Sequence, residues 1–146
     1  MMSKLKMTFF GYRINNLEYK IKEMNSIQIE SEHADINVGN ISFNLTKDRS
    51  ILFSNADVSV KTEIVDNNKN KYDYREIKFK YLCRFSIEVS PEGTSVTLKQ
   101  IEDIMRNGGF QYAISHLRDV IKNVTSLDDR TPLYPSDNPI TVDLKE

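Results

Sequence analysis

The chain has 146 residues and a formal net charge of -1, which suits one domain with an ordinary core and gives no overall field to attract phosphates. We therefore expect no nucleic acid as a partner. Its one cysteine, Cys83, excludes an internal disulfide framework and a cysteine-rich zinc site, and it indicates a reducing compartment. The apolar run at residues 7–10 is too short for a signal peptide, and no segment reaches the ~20 apolar residues of a membrane span. These features predict a cytoplasmic protein without membrane insertion.

Two long strands are predicted in the middle of the chain. In Glu76–Ser90 apolar residues alternate with polar ones, which is the period of two that a strand with one buried face shows. Ile51–Val65 is a second extended segment with the same alternation. The polar residues 66–75 between them predict a hairpin loop, longer than the commonest two-residue turn.

Two further strands are predicted upstream. Asn40–Thr46 places Ile41, Phe43 and Leu45 on one face of a third strand. Thr8–Glu23 predicts a fourth strand, with a bulge at residues 15–16 where the apolar alternation changes parity. Strands therefore occupy about residues 8–90.

Helices are predicted only after these strands, over about residues 97–126. Thr97 and Gln100 match a capping box, which begins a short helix. The two glycines at residues 108–109 end that helix. A longer amphipathic helix follows from Phe110 to about Ser126. Its wide apolar stripe predicts contact with the sheet and with another copy of the chain through Phe110, Ile114, Leu117, Ile121 and Val124. With an extended tail over 128–146, the prediction is one α+β domain over 1–146: a four-stranded long antiparallel sheet, a short helix and a long amphipathic helix packed on one face.

The chain offers little catalytic chemistry. Ser115 and His116 are neighbours on a predicted helix and point about 100° apart, so they do not form a nucleophile and base pair. Cys83 lies in the apolar row of the longest strand, where a thiol is buried and inert. Asp66–Asn70 resembles the start of a calcium loop, but Lys71 and Ile77 stand where glycine and glutamate are needed. We expect no enzyme activity, no metal and no cofactor.

Apolar residues outside the main strand and helix indicate a surface for other chains. We predict a groove for other polypeptides that contains Ile41, Phe43, Leu45, Leu133 and Tyr134. Each of these residues, taken alone, is equally compatible with an ordinary core position. The basic row of Lys78, Lys80 and Arg84 is interpreted as a solvated sheet face.

The order of these features resembles the SecB export-chaperone family. The motif Phe110-Gln111-Tyr112-Ala113 resembles the family's Phe-x-Tyr-Ala helix entry. The segments 81–83 (Tyr-Leu-Cys) and 131–133 (Thr-Pro-Leu) are similar as well, and the likeness extends from about residue 7 to residue 144.

The resemblance implies a tetrameric holdase without an active site, which binds unfolded or nascent polypeptides for protein transport. It places Ile41, Phe43 and Leu45 in the client groove, and Leu117, Ile121 and Val124 near that groove or at the interface between dimers.

Three positions depart from the family pattern. Gln111 and Ile114 replace the family's proline and arginine. Arg84 stands where the family has an acidic residue that docks the translocation motor, which argues against that motor as a partner. The sequence also stops soon after Ile140, so we expect the family's last helix to be missing.

Three functions are weighed. The first is a SecB-like holdase. The second is a SecB-like adaptor or antitoxin-type chaperone with one dedicated partner, or a structural oligomerisation module. The third is a small apolar-ligand binder. A homo-oligomer, dimer or tetramer, is expected in the first two cases.

Overall fold

The structure, a computed structural model, describes residues 5–22, 28–89, 97–106, 111–126 and 140–142. Its elements in chain order are β1 (Leu5–Ile21), β2 (Ile29–Leu45), β3 (Ile51–Asp66), β4 (Lys71–Val89), α1 (Leu98–Ile104), α2 (Gln111–Thr125) and β5 (Ile140–Val142). The strands form one sheet in the order β1-β4-β3-β2-β5. Neighbours among β1 to β4 run antiparallel, and β5 runs parallel to β2. The predicted α+β architecture is confirmed, and β5 adds a short strand that the sequence did not indicate.

Strands β3 and β4 are longer than predicted, because the turn between them is tight. The Asp66 carboxylate accepts hydrogen bonds from the backbone N–H groups of Asn68 (2.9 Å) and Asn70 (2.8 Å), which closes the turn. Lys69 has a positive φ of 66° at its tip. Strand β4 therefore begins at Lys71, and the predicted loop over residues 66–75 was wrong in extent.

A bulge in β2 explains why only its second half was predicted. The register shifts between Gly39 and Ser42, where Asn40 has a positive φ of 50°. Before the bulge the buried residues are even-numbered (34, 36 and 38), and after it the residues facing the core are odd-numbered (41, 43 and 45). The Asn40 side-chain amide donates to the Asp57 carboxylate at 2.9 Å, which lowers the pKa of Asp57 and ties the bulge to β3. The bulge thus keeps both halves of β2 facing one core.

The bulge predicted in β1 is also present. The register against β4 shifts between Asn15 and Glu18, with Asn16 at a φ of 55°. A second shift lies between Phe9 and Gly11.

Both helices follow the sheet as predicted. Thr97 and Gln100 form the predicted capping box, which begins α1. The buried side of α2 carries Ala113, Ile114, Leu117, Val120, Ile121 and Val124. The Tyr81 hydroxyl donates to the carbonyl oxygen of Ala113 at 2.8 Å, and His116 stacks on Phe9 at a ring-centroid distance of 4.7 Å. These contacts place α2 over β4 and β1, while the predicted glycine stop at residues 108–109 lies outside the described residues.

The sheet consequently has two different faces. We call the face under α2, which carries Val60, Phe79 and Tyr81, the covered face. The opposite face, which carries Lys78, Lys80 and Arg84, we call the open face. In the part of the chain that the structure describes, neither helix has the length and hydropathy needed to cross a bilayer.

Candidate binding edge on strand β2

The predicted groove residues of β2 lie together on the covered face. Phe43 is 8% exposed, and Ile41 and Leu45 are half-buried against the core cluster. They occupy the second half of the strand, between the bulge and the turn to β3. The sequence therefore placed these three side chains on one face, while Leu133 and Tyr134 lie outside the described residues.

The predicted interface residues of α2 are buried within the monomer. Leu117 and Ile121 are inaccessible, and Ile114 and Val124 are at most 7% exposed. In this conformation the stripe packs on the chain's own sheet, so its width no longer argues for a second copy. Its role in a groove or interface stays a prediction, and Phe110 lies outside the described residues.

The outer edge of β2 is partly occupied by the chain itself. Ile140, Thr141 and Val142 of β5 pair with Ile36, Asn37 and Val38, respectively. Ile140 is half-buried and packs against the core cluster. An exposed edge strand offers unpaired backbone N–H and C=O groups on which a further strand can form. Strand β5 is such an added strand on the edge of β2. Its pairing site lies directly before the β2 segment that contains Ile41, Phe43 and Leu45.

The candidate nucleophiles are held in unreactive environments. Burial raises the pKa of the Cys83 thiol to about 11, and burial likewise raises the pKa of the Tyr81 hydroxyl. The predicted burial of Cys83 is therefore confirmed. Ser115 donates its hydroxyl hydrogen to the Gln111 carbonyl at 2.9 Å, while His116 stacks on Phe9. The Ser115–His116 pair thus directs its side chains to separate partners.

The basic row on the open face is matched by neighbouring groups. Lys78 lies 3.1 Å from the Glu76 carboxylate, and Lys80 lies 3.5 Å from that of Asp57. The Arg84 guanidinium lies 5.1 Å from the centre of the Phe10 ring, a cation–π distance. Such paired charges fit a solvated sheet face better than a phosphate-binding surface.

An ion pair near the far end of the covered face escaped the sequence reasoning. Arg75 Nε lies 3.1 Å from Glu32 Oε2, with the two side chains 1% and 16% exposed, and Arg75 Nη1 donates to the Tyr19 hydroxyl at 3.1 Å. The two charged residues lie on β4 and β2, with β3 between them. Arg75 lies in the segment predicted as a polar loop, although it continues the odd-numbered row of Ile77 and Phe79 that faces the core.

The structure offers little support for a metal or small-ligand site. Among the described residues, no group of three or more His, Cys, Asp or Glu side chains could hold a metal ion. A depression of about 450 Å³ is lined largely by charged side chains, among them Lys20, Lys61 and Glu76. Its polar lining does not fit the apolar ligand that the third hypothesis requires.

These features define a class of fold: a sheet of very long antiparallel strands with one amphipathic helix on a single face. No family model and no curated protein matches the sequence. Among solved structures, the chain is similar to the Mycobacterium tuberculosis SecB-like chaperone Rv1957, solved in complex with a ChAD peptide from the Rv1956 HigA1 antitoxin. The TM-score is 0.62 at 10% sequence identity, and the match covers 88% of this chain and 86% of that one.

A second match is a Streptococcus agalactiae protein of unknown function. It has 12% identity, covers 90% of this chain and 97% of that one, and has a TM-score of 0.37. The first match shows that this chain has the SecB-like fold.

Proposed function

We propose that the protein is a SecB-like chaperone that binds extended apolar segments of other polypeptides. The observation that carries the proposal is the edge of β2, where a strand already adds to the sheet beside Ile41, Phe43 and Leu45. Backbone pairing at such an edge accepts many sequences, and adjacent apolar side chains favour apolar segments. The peptide in the Rv1957 structure supports the same class of ligand.

The test is binding of a labelled, unfolded peptide with alternating apolar residues, measured by fluorescence anisotropy. Replacing both half-buried residues, Ile41→Ser with Leu45→Ser, should raise the dissociation constant at least tenfold, since each contact is worth about 1 kcal/mol. The control is Ile51→Ser, which changes a comparably half-buried residue that β-pairing with Ser86 places on the open face. Equal effects of the two substitutions would remove β2 from the proposal.

A second assay tests chaperone activity itself. Light scattering from a chemically denatured client should fall when a severalfold molar excess of the protein is present. If neither peptide binding nor suppression of aggregation is measured, the proposed function is wrong.

A dedicated partner is the second candidate, favoured by the antitoxin peptide bound to Rv1957. A peptide panel separates the two cases. A general holdase should bind unrelated apolar segments with dissociation constants within about tenfold of one another, whereas a dedicated chaperone should bind one segment at least 100-fold more tightly.

Assembly into a homo-oligomer belongs to the same proposal. Phe10, Tyr12 and Leu17 on β1 are 46%, 44% and 40% exposed, and this apolar edge supports an interface along β1. Light scattering should give the mass of a dimer or tetramer, and Tyr12→Ser with Leu17→Ser should shift it toward the monomer. With Arg84 stacked on Phe10, the open face gives no support to the translocation motor as a partner.

A further inference from the structure

The one parallel pairing in the described sheet is also its shortest. Strands β1 to β4 pair along most of their length, as in the β1–β4 ladder from Leu5 opposite Val89 to Ile21 opposite Arg75. Strand β5 pairs with β2 over three residues only, Ile140–Val142. Parallel pairs are slightly less stable per residue than antiparallel ones, and a three-residue strand makes few bonds. Of all the pairings in the described sheet, the one between β2 and β5 is therefore the easiest to exchange.

Strand β5 occupies the part of the β2 edge where an added strand contacts the apolar core. Ile36 and Val38, its partners, are each 1% exposed and belong to the core. Ile140 packs its half-buried side chain against that core. An incoming strand with an apolar residue at the place of Ile140 would make the same contact and could extend toward Ile41.

We propose that β5 is an internal competitor: it occupies the edge of β2 at Ile36–Val38, and an extended apolar segment of a client polypeptide displaces it. This inference rests on the proposed function and specifies its site and its regulation. The occupant is a strand of another polypeptide with alternating apolar residues, because that is the chemistry β5 itself presents at the edge. When β5 is paired, the site is closed. When β5 is released, the backbone groups of Ile36–Val38 that face β5 become available, while those that face β3 stay paired.

The competition predicts how changes in β5 alter affinity. If β5 is paired nine-tenths of the time, the apparent dissociation constant for a client is about tenfold higher than that of the open site. In the full-length chain, Ile140→Asp should release β5, because a carboxylate at the place of Ile140 opposes its packing on the core. The same labelled peptide should then bind about tenfold more tightly than to the wild type.

A reversible lock provides the matched control. Asn37 and Thr141 are paired neighbours, so Asn37→Cys with Thr141→Cys places two thiols across β2 and β5. Cys83 is buried and does not compete for the oxidant. In one and the same protein, the oxidised form should bind the peptide at least tenfold more weakly than the reduced form. Because the comparison lies within one variant, it stands even if Ile140→Asp fails to fold.

Hydrogen exchange shows where in the sheet the displacement of β5 takes place. The amides among Ile36–Val38 that face β5 should exchange faster in Ile140→Asp than in the wild type, and peptide should restore their protection. The amides of the same residues that face β3 should stay protected and serve as the internal control. If oxidised and reduced lock variants bind peptide equally well, β5 does not compete and this inference is overturned while the proposed function stands. If no form binds peptide, the proposed function and this inference fail together.

Discussion

Removing one partner of the buried ion pair between Glu32 and Arg75 should measurably lower the stability of the fold. Breaking a buried pair by removing one partner costs ~3–5 kcal/mol, because the remaining charge is left away from water. We expect Glu32→Gln to cost about 3 kcal/mol, the lower end of that range, for three reasons. The Glu32 side chain keeps some solvent contact, and Arg75 keeps its bond to the Tyr19 hydroxyl. The Nε–Oε2 contact also lacks the alignment of a hydrogen bond.

The assay is urea unfolding of Glu32→Gln, of Arg75→Met and of the double variant. The double variant should be less destabilised than the sum of the two single variants, with a coupling energy of about 1–2 kcal/mol. A loss of about 3 kcal/mol should lower the melting temperature by roughly 6–12 °C in a chain of this size. The exposed pair Lys69–Glu30, at 2.8 Å with side chains 73% and 44% exposed, supplies the control, and Glu30→Gln should change little. Equal losses for Glu32→Gln and Glu30→Gln would refute the argument from burial.

Three further predictions concern residues buried between the covered face of the sheet and α2, or on that face itself. Tyr81→Phe should lower stability by about 1–2 kcal/mol, since it removes the buried hydroxyl that bonds the Ala113 carbonyl; an unchanged urea midpoint would contradict this role. Leu117→Ala should cost about 2–5 kcal/mol through a cavity beneath α2, whereas the exposed Ser115→Ala should leave the midpoint nearly unchanged. Stability should fall as the pH rises from about 9 to 11, because the Cys83 thiol ionises in the unfolded chain first and stays protonated in the fold. Cys83→Ala should make that decline shallower, and an identical pH profile would exclude the thiol as a source.

The parts of the fold that follow simple rules could be predicted from the sequence. Strands β3 and β4 alternate without interruption over most of their length, so the period of two identified them. The capping box at Thr97 fixed the start of α1, because its two side-chain bonds need only local residues. The apolar stripe of α2 predicted which side is buried, although not whether its partner is the same chain or another.

The parts that depend on tertiary contacts could not be predicted in this way. Residues 29–39 were missed because the bulge at Asn40 reverses the alternation and because polar residues separate Ala34, Ile36 and Val38. Strand β5 is too short to show a period, and the three prolines of the tail predicted only an extended segment that wraps the domain. The contacts of Arg75 with Glu32 and Tyr19 join three strands, and no local pattern predicts such a contact.

The bulge between Gly39 and Ser42 has a consequence for comparing this chain with distant relatives. If a sequence alignment places a one-residue gap there, every later residue is matched to a position on the opposite face of the sheet, because side chains in a strand alternate with a period of two. Ile41 and Leu45 would then be equated with solvent-facing positions. Alignments of such chains therefore need to be anchored separately on each side of Asn40, with paired residues of the neighbouring strand as the reference.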